Sequence, residues 1–402
     1  MMLSGSGSAR CDKELRQLNN FIFGNSTKVY FGKGGVREYL GSLLDPYGKT
    51  VMLAYGGGSI KRNGIYDEIT EILRSKGKDI VEFGGIMPNP TYEKVQEGAR
   101  LARECNADLI LAVGGGSVSD CCKIISAQAR LDKDIWEMEY EKHAYPSEFI
   151  PFGTVVTVFG TGSEMNNGAV ITDENRKIKG ALWGAQADFA FLDPSYSMSV
   201  PLPQVISGAF DTLSHCMETY FGKPDDNNLS DDINEAIMRS VIRNIRALIA
   251  DPDDYEPRSE LAWAAAMAEN GILKIGKITD FQCHMIEHQL AAYTDCNHGA
   301  GLAVIHPVLY RHIYRSDAAR FARFAESVWC IRPSGDEEKT AFQGIAALAD
   351  FIKEIGLPAS FSELGIPKDT DFQAIADSAV ITEGCCRKLS HDEIFDILCE
   401  CR

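Results

Sequence analysis

The chain has 402 residues, 45% of them hydrophobic and 24% charged, with a net charge of −17 at pH 7. That length exceeds one ordinary core and predicts two domains, while the acidic balance argues against a nucleic-acid or anionic-membrane partner. No apolar run reaches the roughly 20 residues of a membrane span, and the opening MMLSGSGSAR lacks the apolar core of a secretion signal. Residues 1–12 read as a tag- or linker-like segment. Twelve cysteines without one C-x-x-C pair fit free thiols in a reducing, cytoplasmic setting.

In chain order, Phe21 to Gly35 reads as a short strand pair closed by a glycine turn. Thr50–Tyr55 is a compact apolar strand that stops at Gly56-Gly57-Gly58-Ser59, and a helix follows over about 66–76. A strand at 79–83 leads to the Pro88-Asn89-Pro90 turn, and helical spacing returns over 91–105. The run 108–113 is another buried strand, cut at Gly114-Gly115-Gly116-Ser117 before a helix over 119–129. Strands at 151–158 and 189–192 complete the first half. Apolar strands alternating with amphipathic helices mark a parallel sheet covered on both faces. From about Pro203 onward the periodicity is helical: 204–222, 230–250, 258–273, 279–292, 300–314, 317–330 and 338–355. The expected organisation is a Rossmann-like α/β domain over 13–200, binding a dinucleotide, and an all-α domain over 201–402 for metal and substrate.

Two triple-glycine runs, each between a strand and a helix, allow close approach of backbone to phosphate, with the helix N-terminus adding N–H donors. A Thr/Gly/Ser-rich loop at 157–163 joins them, and a P-loop signature is absent, which disfavours ATP. Asp120, just after the second run, is placed either to cap its helix or to meet a ribose. No carboxylate follows the strand ending at Tyr55, which favours NADP(H) over NAD(H).

Three of the eight histidines fall between Phe281 and Gly301. His284 and His288 are four apart on a predicted helix, and Asp211 and His215 repeat that spacing on another. One carboxylate with imidazoles suits a divalent first-row metal, iron or zinc.

The motifs YGGGSIKRNGIYDEI (55–69), LAVGGGSVSD (111–120), GTGSEMN (160–166), LDP (192–194), FDTLSH (210–215) and HMIEHQLAAYTDCNHGAGLAV (284–304) together resemble the iron-containing alcohol dehydrogenase family, in its butanol-dehydrogenase-like branch. The resemblance runs from about Asn20 nearly to the C-terminus and implies a dehydroquinate synthase-like architecture. It implies metal ligation by Asp211, His215, His284 and His298, with Fe(II) ahead of Zn(II), and a proton-handling role for His288 near the nicotinamide. Cofactor contacts are expected from Gly57, Gly58, Ser59, Asn89, Gly114, Gly115, Gly116, Ser117, Asp120, Thr157 and Thr161. A cofactor-side lysine is expected after the GTGSE loop, where Lys177 and Lys179 compete; Lys179 is the one assigned. The chain departs from the family in reading Val156-Thr157-Val158-Phe159 before that loop. The implied reaction is hydride exchange between nicotinamide C4 and a short-chain alcohol or aldehyde such as butanol or butanal, in a homodimer or larger homo-oligomer. The alternatives are a glycerol-type polyol dehydrogenase, another dehydroquinate synthase-like enzyme, or an inactive nucleotide-binding protein.

Overall fold

The computed structural model describes residues 20–223, 228–384 and 386–402; the tag-like reading of 1–12 lies outside them. Eight strands form two sheets: β1 (Lys28–Phe31), β2 (Thr50–Tyr55), β3 (Asp79–Phe83), β4 (Leu109–Gly114), β5 (Phe152–Val156), β6 (Gly168–Asp173), β7 (Ile178–Trp183) and β8 (Phe189–Leu192). Six of them make a parallel sheet in the order β1-β8-β5-β4-β2-β3, and β6 and β7 pair antiparallel as a separate hairpin.

Helices α1 (Gly35–Leu43), α2 (Ser59–Arg62), α3 (Ile65–Ser75), α4 (Tyr92–Glu104) and α5 (Gly116–Gln128) connect the strands of the large sheet. Strands β2 and β4 are apolar nearly throughout, because helices cover both faces. Met52, Ala54, Ile110 and Ala112 pack into one layer, and Val51, Leu53, Leu109 and Leu111 into the layer on the opposite face.

A helical region follows: α6 (Leu202–Tyr220), α7 (Leu229–Ala250), α8 (Tyr255–Glu269), α9 (Gln282–Thr294), α10 (His298–Ile313), α11 (Ala318–Ser327), α12 (Glu337–Glu354), α13 (Phe361–Leu364), α14 (Phe372–Ser378) and α15 (His391–Glu400). Its core gathers α6, α9 and α10 around Phe210, Leu213, Ile286, Leu290 and Leu302. Among the described residues no helix is long and apolar enough to cross a membrane, and ten free cysteines are present.

Two features differ from the sequence reading. The strand pair expected over Phe21–Gly35 is a single strand, β1, whose partner is the distant β8. Asn25 pins the preceding segment instead, donating to the carbonyls of Met165 at 2.7 Å and Asn270 at 3.2 Å. The hairpin β6–β7 has no counterpart in the reading. It packs on α5 and α9, and Gln289 of α9 donates to the Lys179 carbonyl at 3.0 Å.

The topology places a crevice at one edge of the sheet. From β2 the chain winds outward to β3 and then returns to the other side of β2 as β4, so the winding reverses between β2 and β4. A crevice opens at such a reversal, beyond the carboxyl ends of the strands. Tyr55 lies opposite Val113 and Gly114 opposite Val156, so β2, β4 and β5 end side by side. Their following loops, 56–59, 115–117 and 157–161, line one edge.

Candidate metal centre and cofactor cleft

A cleft of about 770 Å³ runs along that edge to the helical region. Of the residues expected to contact a cofactor, Gly57, Gly58, Ser59, Asn89, Gly114, Gly115, Gly116, Ser117, Thr157 and Thr161 line it. From the helical side come Ser207, Gly208, Asp211 and the segment Asp295–Gly299. The cradle is shaped by missing side chains. A Cβ on Gly116 would lie 2.3 Å from Thr161 Oγ1, so only glycine lets the start of α5 meet the 157–161 loop. A Cβ on Gly57 would point into open space.

Two expected cofactor residues are placed elsewhere. The Asp120 carboxylate accepts from Ser163 Oγ at 2.5 Å and from the Val170 amide at 2.9 Å, tying α5 to the 3₁₀ turn and hairpin rather than facing the cleft. Lys179 is 4% exposed and its ammonium lies 3.4 Å from Glu287, so it is held inside the helical junction. Lys177, at φ +52, puts its ammonium over the Tyr293 ring.

Asp211, His284 and His298 meet at the inner end of the cleft. Pro201 and Pro203 open α6, where proline's fixed φ suits a first turn. Asp211 and His215 then fall one turn apart on its buried face. Asn297 caps α10 by accepting from the Ala300 amide, and its Oδ1 also accepts from Ser207 at 2.5 Å. Gly299 lets this turn touch α6, since a Cβ there would lie 2.2 Å from the Ser207 carbonyl oxygen. These contacts put His298 at the head of α10, over Asp211.

Nε2 of His284 and Nε2 of His298 each lie 3.4 Å from Asp211 Oδ1. Ligand atoms about 2.1 Å from a tetrahedral ion are themselves about 3.4 Å apart, so the spacing fits a divalent metal. Asp211 Oδ1 and His284 Nε2 are buried without a hydrogen-bond partner, which a folded protein rarely tolerates. His215 stands beside the trio: its buried, unpaired Nδ1 is 3.7 Å from Asp211 Oδ1, and its ring stacks on His284 at 4.6 Å.

Two carboxylates missed in the sequence stand behind the histidines. Glu218 of α6 accepts from His284 Nδ1, and Glu287 of α9 accepts from His298 Nδ1. Their spacing was a signal, since Glu218 is seven residues after Asp211 and Glu287 three after His284, each on the same helical face. A carboxylate only accepts, so both histidines hold a proton on Nδ1, and Nε2 is the nitrogen each would offer to a metal on losing its own proton.

The electrostatics fit a cation as well. Burial works to raise the Asp211 pKa, but His215 and His298 hold it well below the usual carboxylate range. Burial works to lower that of His284, yet Glu218 and Asp211 push it up to about 10. With neutral imidazoles, the carboxylates of Asp211, Glu218 and Glu287 against the Lys179 ammonium leave two negative charges, matching a divalent ion.

His288 is buried, with its ring 5.9 Å from His284 and 5.6 Å from His298. Glu287, His288 and His298 form a second trio of close donor atoms. Glu287 already serves Lys179 and His298 there, which leaves it unsuited as a ligand.

Comparison with known proteins agrees with this geometry. Residues 26–194 match the model of the iron-containing alcohol dehydrogenases, and 205–401 that of the C-terminal region of the Fe-containing alcohol dehydrogenase family. The chain belongs to the iron-containing alcohol dehydrogenase family. This enzyme is thus an oxidoreductase of the iron- and NAD(P)-dependent kind, acting between alcohols and aldehydes.

The enzyme is 39% identical to the probable NADH-dependent butanol dehydrogenase 1 of Bacillus subtilis, over 95% of this chain and 99% of that one. It is 36% identical to the NADPH-dependent aldehyde reductase YqhD of Escherichia coli, over 87% and 90%. The crystal structure of NADH-dependent butanol dehydrogenase A from Thermotoga maritima superposes with a TM-score of 0.90 at 34% identity, covering 96% and 99% of the two chains.

Proposed function

We propose that this enzyme interconverts small neutral alcohols and aldehydes, of about the size of butanol and butanal, using NADP(H) in preference to NAD(H). The observation that carries the reading is that the glycine cradle opens into the same cleft as Asp211 and His298, whose ligand atoms converge with that of the buried His284. When bound, a divalent ion, Fe(II) ahead of Zn(II), held by Asp211, His215, His284 and His298 supplies a Lewis acid, and the nicotinamide gives or takes the hydride. Amides of the 115–117 turn and the start of α5 bind the pyrophosphate. Thr157 and Thr161 line the passage from that turn towards Asp211. His288 Nδ1, buried and unpaired, takes or returns the hydroxyl proton.

No lysine or arginine lines the cleft among the described residues, which supports a neutral substrate over a phosphorylated acid. Assembly as a homo-oligomer and a cytoplasmic location belong to the same reading, and light scattering of the purified enzyme tests the first.

Absorbance at 340 nm tests the activity. NADPH and butanal should give oxidation that a chelator stops, whereas no chelator-sensitive oxidation over a panel of short aldehydes would overturn the proposal.

The cofactor preference rests on the first glycine run. Nothing acidic stands at 56–59, and Glu82 on the neighbouring strand is engaged by the Tyr55 hydroxyl at 2.6 Å, the Tyr66 hydroxyl at 2.6 Å and Lys61 at 2.9 Å. The names of the relatives point both ways. Gly57→Asp is the discriminating variant, because its Cβ meets nothing and its φ is ordinary. A carboxylate there should repel the 2′-phosphate and lower kcat/KM for NADPH by about 10-fold or more, with NADH within about 3-fold. Equal losses with both cofactors would place the adenosine end elsewhere.

A further inference from the structure

Phe281, the residue before the first turn of α9, is at φ +58 and offers no side-chain acceptor. Asp280 Oδ1 accepts only the first amide, that of Gln282, at 3.2 Å. The acceptor for the next two amides comes from another helix. Glu218 Oε1 receives the Cys283 amide at 2.5 Å, and Oε2 receives the His284 amide at 3.2 Å and the His284 Nδ1 proton as well. The Glu218 carbonyl also accepts from the Asp280 amide at 3.1 Å. One carboxylate therefore satisfies two orphan N–H groups at the head of α9 and sets the ring orientation of the histidine in that turn.

Asp211, His215 and Glu218 follow one stripe of α6, so a single helix carries two candidate ligands and the anchor of a third. The second anchor is built differently. Glu287, with a fully buried side chain, receives His298 Nδ1 and is balanced by Lys179 at 3.4 Å. Gly301 lets α10 press onto it, since a Cβ there would lie 2.9 Å from Glu287 Cγ.

We infer that Glu218 and Glu287 are positioning residues that present His284 and His298 to the metal through Nε2, and that Glu218 also docks α9 onto α6 by capping it. The inference rests on the metal-dependent reading above. Glutamine in either place keeps one acceptor and removes the charge. At 218 it also turns an NH₂ group toward a backbone N–H or an imidazole N–H, so the cap is damaged together with the ligand.

The test measures metal binding rather than turnover. Apo-protein is titrated with Co(II) against a chromophoric chelator, and the visible bands of the bound ion report its coordination. Wild type should bind one equivalent. Glu218→Gln and Glu287→Gln should each bind about 10- to 100-fold more weakly, with altered bands. Amide exchange separates the two roles: the first turn of α9 should exchange faster in Glu218→Gln and unchanged in Glu287→Gln. If Glu218→Gln does not fold, Glu287→Gln decides, because it leaves the cap intact. Wild-type affinity and bands in the variants overturn the inference alone, whereas no Co(II) bound by wild type overturns the metal reading with it.

Discussion

Replacing His284 by alanine is expected to remove the metal and to lower kcat/KM by about 1,000-fold or more. Nε2 of this residue faces Asp211 Oδ1 at 3.4 Å with no other partner, so the truncation deletes one ligand and changes nothing in the cofactor cradle. It also leaves Glu218 buried without its imidazole. Breaking a buried charged pair from one side costs about 3–5 kcal/mol, softened here by the Cys283 and His284 amides that Glu218 keeps. The variant should therefore melt below wild-type apo-protein as well as bind less metal. Metal analysis, thermal unfolding and NADPH binding on the same preparation separate these effects, and unimpaired NADPH binding is expected. Stoichiometric metal at full turnover would remove His284 from the ligand set.

The candidate pairs are visible in the sequence because their spacing is local. Asp211 with His215, and His284 with His288, are each one helical turn apart, and the strand-to-glycine transitions at Tyr55 and Val113 are equally short-range; the full ligand set, with His298 in place of His288, is what the family resemblance implies. The parts that escaped depend on partners far along the chain. Glu218 and Glu287 share a helical face with Asp211 and His284, but in sequence they also look like ordinary surface acids of amphipathic helices, and the packing of α6, α9 and α10 is what buries them against imidazoles. Asp120 looked like a ribose ligand because it follows a glycine run by one turn. Its carboxylate is instead taken by Ser163 and Val170, 43 and 50 residues further along the chain. β1 is the same lesson in the fold, since its ladder partner lies 161 positions later. The hairpin β6–β7 was obscured by the charged turn Asp173–Lys177 and by apolar stretches whose burial comes from α5 and α9 rather than from the large sheet.

His288→Ala is expected to behave in the opposite way: full metal content, with kcat lower by about 100- to 10,000-fold. On spacing alone His288 is the natural co-ligand of His284, one turn along the same face of α9. The structure supports another role. His288 lies outside the Asp211–His284–His298 group of converging ligand atoms, and its Nδ1 has no hydrogen-bond partner. Burial, and then the charges of Lys179 and His298, hold its pKa well below the ordinary imidazole value, so the ring is neutral with a free lone pair at neutral pH. A neutral base beside a Lewis-acid site can take the hydroxyl proton in one direction and return it in the other, and its removal slows that transfer without touching the ligand shell. The alanine variant also leaves an imidazole-sized space, so added imidazole should restore part of the lost rate while metal content stays constant. Metal loss in His288→Ala, by contrast, would make it a ligand and leave His215, whose Nδ1 stands 3.7 Å from Asp211 at the edge of the trio, as the supporting residue.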